Sequence, residues 1–230
     1  MIRISGFARV QILMDVTYLG HSSFKIKTKT ATIITDPFDS QMVGLGYSGV
    51  EGEIVTVSHK HPDHNAVGKV SGIKKIVEGP GEYEISGISI IGYQSFHDSK
   101  NGEERGKNTI YVIEAEGLRI AHLGDLGHPI SDHLVDEMGS IDILMVPVGG
   151  IYTIGPKEAT EVCSKIDPYF ILPMHYKAPG MNEKEFASLE PKETFLKEMG
   201  LTVEILPKFL IKKEDVIDNQ STKVVVLEKK

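Results

Sequence analysis

The stretch VSHKHPDHN, at residues 57–65, contains three histidines and one aspartate directly after an apolar segment typical of a strand. In an extended chain, positions two apart point to the same side, so His59 and His61 can bind one ion. The intervening proline favours a turn, beyond which Asp63 and His64 point toward a second position. Imidazole nitrogens and carboxylate oxygens are ligands of Zn²⁺, Mn²⁺ and Fe²⁺. The stretch therefore predicts half of a metal site, and the alternative is a solvated turn that is rich in histidine.

Three more apolar segments end at residues that can bind a metal ion. YQSF precedes His97, AHLG precedes Asp125, and ILPM precedes His175. Because the C-terminal ends of strands converge at one edge of a layered α/β fold, we expect these side chains to meet the first cluster. His97 would complete the first set of ligands and His175 the second, with Asp125 between the two ions. These downstream positions favour the metal site over the solvated turn.

The 230-residue chain is acidic, with a net charge of −7, and contains a single cysteine, Cys163. An acidic surface argues against nucleic acid or an anionic membrane as the partner, and we expect a small-molecule substrate. A lone cysteine excludes an intrachain disulfide. With neither a signal peptide nor an apolar run long enough to span a membrane, the sequence predicts a cytoplasmic protein. Residues 1–13 are predicted to be an N-terminal extension and residues 14–230 one domain; a homo-oligomer is left open.

Short β-like runs dominate the first half of the chain, and strands alternate with helices in the second half. Helices are predicted at 131–139, 155–166 and 183–200, the last broken at Pro191, and a short helix is predicted after His64. This mixture indicates an α/β (α+β) fold in which helices pack outside paired sheets. The predicted strands are 15–20, 22–28, 31–36, 53–58, 74–78, 87–96, 108–115, 118–125, 141–150, 168–175, 202–207 and 223–228.

The motif HKHPDH resembles the H-x-H-x-D-H signature of the metallo-β-lactamase superfamily, and the later His97, Asp125 and His175 follow in the order of that family. The segments GHSSF, ITDPF, HLGDLGH, PVGGIYTI and PMHYK are similar to a branch of zinc-dependent hydrolases that includes the ascorbate-6-phosphate lactonase-like proteins. The resemblance covers about residues 14–210. It implies a four-layer αββα sandwich with a dinuclear metal site at the edge between the two sheets.

The resemblance also implies the ligands of each ion. His59, His61 and His97 would bind the first ion, and Asp63, His64 and His175 the second, with Asp125 bridging. Asp36, in ITDPF, matches an aspartate that supports the ligands through hydrogen bonds. The cofactors expected are two divalent ions, with zinc first and manganese or iron as alternatives.

Two departures from related families narrow the function. Antibiotic-hydrolysing members with a cysteine ligand have it where Asp125 stands here, and Cys163 is predicted to lie in a helix. Flavodiiron oxygen reductases have glutamate at the position of His61 and carry a flavin domain. Both activities are therefore disfavoured.

Histidines outside the ligand set have weaker assignments. His21 is a candidate for lining the pocket, although an isolated histidine at a strand turn is more often structural. His128 is the spare proton donor near Asp125. His122 is expected to be buried and hydrogen-bonded, and His133 to lie on the exposed face of a helix.

Two glycine-containing loops are candidates for contact with substrate. The segment 98–108 is either a surface turn or a lid that reaches an anionic substrate. The segment 147–156 precedes a helix N-terminus, where an anion can bind, or is a plain loop. The weak substrate candidates in and near these loops are Arg105, Lys107, Asn108, Tyr152 and Lys177.

The sequence thus favours a hydrolase in which two ions about 4 Å apart hold a hydroxide that attacks a small ester, lactone or phosphodiester. Asp63 is expected to orient this nucleophile. Two alternatives stay open: a nuclease or nucleotide-processing phosphodiesterase on the same fold, and a non-catalytic metal-binding or sensor protein.

Overall fold

The computed structural model describes residues 13–217 and 221–230. Of the predicted N-terminal extension, residues 1–12 lie outside the described residues. The strands are β1 (Met14–Gly20), β2 (Ser23–Lys27), β3 (Thr32–Thr35), β4 (Val50–Glu51), β5 (Ile54–Val57), β6 (Val70–Ser71), β7 (Lys75–Glu78), β8 (Gly81–Ile85), β9 (Ile88–Phe96), β10 (Lys107–Ala115), β11 (Leu118–His122), β12 (Ile143–Pro147), β13 (Phe170–Met174), β14 (Val203–Leu206), β15 (Phe209–Ile211) and β16 (Lys223–Leu227). The helices are α1 (Ser40–Val43), α2 (Asp132–Met138), α3 (Pro156–Ile166), α4 (Glu183–Phe186), α5 (Lys192–Met199) and α6 (Lys213–Ile217).

Two large sheets contain most of these strands. The first has six strands in the order β15-β1-β2-β3-β5-β7, and the second has eight in the order β14-β16-β13-β12-β11-β10-β9-β8. Pairing is parallel from β3 through β5 to β7, and from β11 through β12 and β13 to β16. Parallel neighbours end at the same edge of a sheet, so the residues that follow β3, β5, β11 and β13 are brought to shared edges.

The main core lies between the two sheets. Ile33 of β3 and Ile54 of β5 are fully buried in it, whereas their neighbours Ile34 and Val55 belong to a second apolar cluster. Because successive strand residues point to opposite faces, the first sheet is covered on both sides. Helices α1 and α4 each bury one apolar residue in the second cluster. On the other sheet, α3 packs against β12, with α2 and α5 beside it. The predicted four-layer helix–sheet–sheet–helix arrangement is confirmed.

The predicted helices form, with boundaries that follow local chemistry. Ser131 caps α2, because its hydroxyl accepts a hydrogen bond from the Leu134 amide. The break at Pro191 is confirmed, since this residue is the N-cap of α5. The short helix expected after His64 is reduced to a three-residue 3₁₀ turn at Val67–Lys69.

The sequence did not predict the short strands β4, β6, β8 and β15 or the short helices α1 and α6. These elements are between two and five residues long, so each is too short to display a clear hydrophobic period. In the described part of the chain, no helix is long and apolar enough to cross a membrane.

Candidate metal centre

Seven ligand-type side chains meet at one edge between the two sheets. His59, His61 and His97 form one group, and Asp63, His64 and His175 belong to another, with the possible ligand atoms of each group within 4.8 Å of one another. The four candidates in the HKHPDH motif follow β5, and His97, Asp125 and His175 follow β9, β11 and β13, respectively. The structure therefore brings together the residues that the sequence assigned to each ion.

Asp125 lies between the two groups. Its Oδ2 atom is 3.2 Å from Nε2 of His97, 3.1 Å from Nε2 of His64 and 3.2 Å from Nε2 of His175. Nε2 of His59 is 3.8 Å away from the same oxygen. One carboxylate oxygen thus faces imidazole nitrogens from both groups, which is the position that a bridging ligand requires.

Several buried polar atoms at the centre make no hydrogen bond of acceptable geometry with the described residues, although some lie close to Asp125. They include Nε2 of His59, Nε2 of His64, both ring nitrogens of His175 and Oδ1 of Asp125. Buried polar groups are normally hydrogen-bonded, because an unsatisfied one costs about 1–3 kcal/mol. Imidazole nitrogens and carboxylate oxygens that point inward without partners fit a divalent cation.

Asp36 fixes which ring nitrogen of His64 carries the proton. The carboxylate of Asp36 is fully buried, and its Oδ2 accepts a hydrogen bond from Nδ1–H of His64 at 2.8 Å. When His64 is neutral, its Nε2 atom therefore keeps the lone pair and points to the centre. A carboxylate behind a ligating histidine is the usual device that sets this tautomer.

Ser58 extends the same control to His59. The Ser58 hydroxyl donates to Oδ2 of Asp36 at 2.5 Å, so its oxygen is left to accept from Nδ1–H of His59 at 2.9 Å. The Ser58 amide donates to Oδ1 of Asp36 at 2.8 Å. Asp36 thus orients one histidine of each group, directly or through Ser58, which matches its predicted supporting position.

His21 joins the second group, although the sequence gave it only a weak assignment to the pocket. Its Nε2–H donates to Oδ2 of Asp63 at 3.2 Å, and its ring centroid is 4.2 Å from that of His175. The backbones of the two residues are also hydrogen-bonded, because the His175 amide donates to the His21 carbonyl at 2.8 Å. The signal in the sequence was its place in the GHSSF segment.

Three residues of the centre have a left-handed backbone that only glycine adopts readily. The φ angles are 55° at His21, 39° at Asp36 and 52° at His175. Each such conformation costs on the order of 1–3 kcal/mol for a residue with a side chain. Strain at three neighbouring polar residues indicates that the surrounding fold holds these side chains in place for a functional reason.

The charge distribution follows from burial and close neighbours. Burial, together with His175, lowers the pKa of His21 to about 4, and burial with His64 lowers the pKa of His59 well below its usual value. Burial opposes a charge on His64, but Asp125 and Asp63 outweigh it and raise its pKa, so a metal ion that binds Nε2 of His64 would displace a proton. Burial likewise opposes ionisation of Asp125, and His175 and His64 nevertheless lower its pKa. The carboxylate is therefore ionised and His59 is neutral, as metal ligands must be.

Gly127 permits two ligand-bearing segments to approach each other closely. A Cβ atom at this position would lie 2.3 Å from the carbonyl carbon of His97 and 2.4 Å from the amide nitrogen of Asp98. We expect Gly127→Ala to lower the free energy of unfolding by about 3 kcal/mol, because backbone rather than a flexible side chain must move. Urea unfolding measures this, and Gly46→Ala, whose added Cβ meets nothing within 4 Å, is the matched control. Equal stability of the two variants would contradict the packing argument.

The loop 98–108 is ordered by Asp98. Its carboxylate accepts hydrogen bonds from the amides of Lys100, Gly102, Glu104 and Arg105 at 2.8–3.1 Å. Desolvation raises the pKa of Asp98, but the hydrogen bonds from these amides outweigh desolvation and lower it. The loop is therefore held by one side chain in a fixed shape.

Asn108, the second residue of β10, does not reach toward a substrate. It is buried, its Oδ1 accepts from the Asp125 amide at 3.0 Å, and its Nδ2 donates to the Leu123 carbonyl at 2.9 Å. Asn108 therefore positions the backbone of the bridging candidate, which corrects its assignment as a substrate contact.

A cavity of about 310 Å³ opens onto the centre. Its lining combines ligand candidates with the largely apolar Met42, Pro62, Tyr152 and Phe186 and with the charged residues Arg105 and Glu185. The Tyr152 hydroxyl donates to the Glu185 carbonyl at 2.8 Å, so its ring is anchored. A volume at the lower end of ligand pockets suits a small molecule.

Other predicted positions lie away from this cavity. His128 uses both ring nitrogens in backbone hydrogen bonds, with Pro129 O at 2.8 Å and the Phe96 amide at 3.2 Å, so the geometry gives its predicted proton-donor role no support. Lys177 binds Glu183 and the Ala187 carbonyl.

The two histidines expected to be structural have the predicted environments. His122 is fully buried and donates to the Ser22 carbonyl at 2.8 Å, and the side chain of His133 in α2 is 82% exposed. Cys163 is buried within α3, as expected.

A family model described as a beta-lactamase superfamily domain matches residues 15–175, which include all of the ligand candidates. A structure from Thermotoga maritima, assigned to the zinc-dependent hydrolases of the metallo-β-lactamase superfamily, is 37% identical and covers 94% of this chain and 98% of its own, with a TM-score of 0.76. The chain belongs to the metallo-β-lactamase superfamily. This superfamily membership confirms the resemblance that the HKHPDH motif carried.

Curated relatives are similar to this chain over most of their length. A UPF0173 metal-dependent hydrolase from Thermococcus onnurineus is 29% identical and is matched over 71% of this chain and 85% of its own. A counterpart from Shouchella clausii is 28% identical, over 84% of this chain and 100% of its own. Igni18, a metallo hydrolase from Ignicoccus hospitalis, shares the fold with a TM-score of 0.68 at 19% identity.

Proposed function

We propose that this protein is a metal-dependent hydrolase whose site holds two divalent ions and cleaves a small ester, lactone or phosphodiester. The position of Asp125 carries this proposal, because one carboxylate oxygen faces imidazole nitrogens of both groups at 3.1–3.2 Å. Similar proteins that are named metal-dependent or zinc-dependent hydrolases support this proposal.

The proposed ligands follow the two groups. His59, His61 and His97 would hold one ion, and Asp63, His64 and His175 the other, with Asp125 shared. When bound, two such ions lower the pKa of a water molecule and polarise the carbonyl or phosphoryl oxygen of the substrate. Zinc is the first choice for this donor set, and manganese and iron are the alternatives.

The chain's own residues would prepare the reaction. Asp63 lines the cavity and its Oδ2 is held by His21 at 3.2 Å, so the carboxylate is positioned to orient the attacking water. Ester hydrolysis adds this water across the acyl–oxygen bond and releases an acid and an alcohol. Met42, Tyr152 and Phe186 would exclude bulk water from the substrate.

The open cavity argues against a purely metal-storing or sensing protein, for which we would expect a filled, inaccessible site. A phosphodiesterase remains the second candidate, and the basic groove described below favours it. A cytoplasmic location, a single domain at 14–230 and the narrower lactonase-like branch stay predictions.

Metal removal tests the proposed function. We expect the purified protein to contain about two metal ions per chain, and chelation to lower hydrolysis of p-nitrophenyl esters, lactones or bis(p-nitrophenyl) phosphate by about 100-fold or more. Adding back zinc, manganese or iron should restore it. Metal content by mass spectrometry and initial rates are the measurements.

Two outcomes would contradict the proposal. Hydrolysis that survives complete metal removal, and also survives His59→Ala and Asp63→Ala, would exclude the metal-dependent reaction. A stoichiometry of one ion per chain at saturating metal would exclude the dinuclear site.

A further inference from the structure

The metal centre adjoins a second groove with a different lining. This groove, about 450 Å³ in volume, is lined by Lys60, Arg105 and Lys107 beside His59 and His61. It shares His61 and Arg105 with the 310 Å³ cavity described above. A substrate whose scissile bond lies at the centre would therefore meet largely apolar residues and Glu185 on one side and the cationic Lys60 and Lys107 on the other, with Arg105 between them.

The second groove is basic in an acidic protein. Three cationic side chains line it against one carboxylate, that of Glu78, whereas the whole chain has a net charge of −7. Among the described residues, Lys60 and Lys107 have no carboxylate partner within 4 Å. A local excess of positive charge against an opposite overall charge indicates a site for an anion.

Arg105 lies at the boundary between the two cavities, and both its backbone and its guanidinium have contacts. Its amide donates to Oδ2 of Asp98 at 2.8 Å, and its guanidinium carbon lies 5.8 Å from the ring centroid of Tyr152. Its one carboxylate neighbour among the described residues is Glu104, at 3.9 Å, and that carboxylate is itself 2.6 Å from Lys100. The guanidinium is thus oriented while its donors are left for another anion.

A guanidinium fork binds carboxylate and phosphate through paired hydrogen bonds, whereas a neutral group gains nothing comparable. We propose that the site selects substrates that carry a carboxylate or phosphate beyond the scissile bond, and that Arg105 binds this anion. Lys60 and Lys107 raise the local potential without a fixed geometry. The selection rests on the proposed hydrolytic function, because it concerns the same site.

The test compares matched ligands and substrates. Mono-p-nitrophenyl glutarate and p-nitrophenyl valerate have the same leaving group and acyl length and differ in the terminal carboxylate; p-nitrophenyl 4-phosphonobutyrate supplies the phosphate-like arm. For the metal-loaded protein we expect kcat/KM to favour the anionic esters by about tenfold or more. The preference in the two anionic arms identifies which anion is selected.

Arg105→Gln should reduce this preference by about tenfold, and Arg105→Glu should reverse it. The ratio within each variant cancels any general loss of activity. Lys157→Gln, an exposed lysine of α3 that lines neither cavity, is the matched control and should keep the wild-type ratio. Metal content is measured for every variant.

Binding gives a readout that does not depend on catalysis. Titration calorimetry of the metal-loaded protein should show that glutarate and 4-phosphonobutyrate, which carry a second anionic group, bind more tightly than valerate, which carries one carboxylate, and that Arg105→Gln removes the difference. If neither ester is hydrolysed but this binding preference holds and depends on Arg105, the proposed function fails and the anion site stands. If esters are hydrolysed and Arg105→Glu leaves the kcat/KM of both anionic esters relative to p-nitrophenyl valerate unchanged, the function stands and the anion site is overturned.

Discussion

Asp125→Asn should bind no more than one metal ion per chain and lose about 100-fold or more of the hydrolytic rate. The reason is the geometry around Oδ2 of Asp125, which lies 3.2 Å from Nε2 of His97 in one group and 3.1 Å from Nε2 of His64 in the other. An amide at this position has the same size but no negative charge. It can present only one oxygen, and its NH₂ group would face an unpaired, buried nitrogen or cation.

The control for this variant is Asp136→Asn, which removes one carboxylate from the exposed surface of α2 and should leave metal content and rate unchanged. Metal stoichiometry by mass spectrometry and competition with a chromophoric chelator are the measurements, with thermal unfolding to verify that the variant is folded. Asp125→Asn protein that retains two tightly bound ions would show that the two groups do not share this carboxylate.

The candidate ligands could be identified from the sequence because the signal for them is local. The motif from His59 to His64 combines an extended segment, a proline and a turn, and each later candidate follows an apolar strand. The positions of the strands along the chain therefore predicted where most of the candidate residues lie. The long strands β9 and β10 were predictable for the same reason, since nine residues of alternating or continuous apolar character leave little ambiguity.

The resemblance predicted a supporting position for Asp36, but the partners of Asp36 could not be predicted, because they depend on strand register. Thr35 of β3 is paired with Thr56 of β5, and this parallel register places Asp36 beside Ser58. A shift of two residues would have separated them, and no local pattern in the sequence fixes that choice. The contact between His21 and Asp63, 42 residues apart in the chain, has the same origin.

His128 shows the converse error, in which proximity along the chain misleads. It follows Asp125 by three residues, so a position at the mouth of the site was reasonable. The chain instead turns so that the His128 ring approaches Phe96, with 5.9 Å between the ring centroids, and both ring nitrogens bind backbone groups. Arg105 became the better substrate candidate because a loop fold, set by Asp98, carries it back over Tyr152.

Asp36→Asn is the second variant with a large expected effect, although Asp36 is not one of the proposed ligands. Its Oδ2 accepts from both the Ser58 hydroxyl and Nδ1–H of His64, and its Oδ1 accepts from the Ser58 amide. Asparagine offers one accepting oxygen and one donating NH₂ group. With the oxygen toward His64, the NH₂ group opposes the Ser58 amide, which cannot become an acceptor.

In the flipped orientation the NH₂ group opposes Nδ1 of His64, so this histidine must move its proton to Nε2 and can no longer bind metal through that atom. Either orientation leaves a donor unsatisfied in a fully buried place, which costs about 1–3 kcal/mol of unfolding free energy. We therefore expect Asp36→Asn to weaken metal binding by about 10–100-fold while the protein still folds. Chelator competition measures the affinity and urea unfolding of the metal-free protein measures the stability.

The matched control for Asp36→Asn is Asp39→Asn, three residues further along. Asp39 caps α1 through hydrogen bonds from the amides of Gln41 and Met42, and asparagine caps a helix as well as aspartate does. This variant should keep both affinity and stability. Wild-type metal affinity in folded Asp36→Asn protein would mean that His64 does not depend on the buried carboxylate for its tautomer. A loss of affinity without any loss in the Asp39 variant would instead show that one hydrogen-bond acceptor behind the site controls a ligand in front of it.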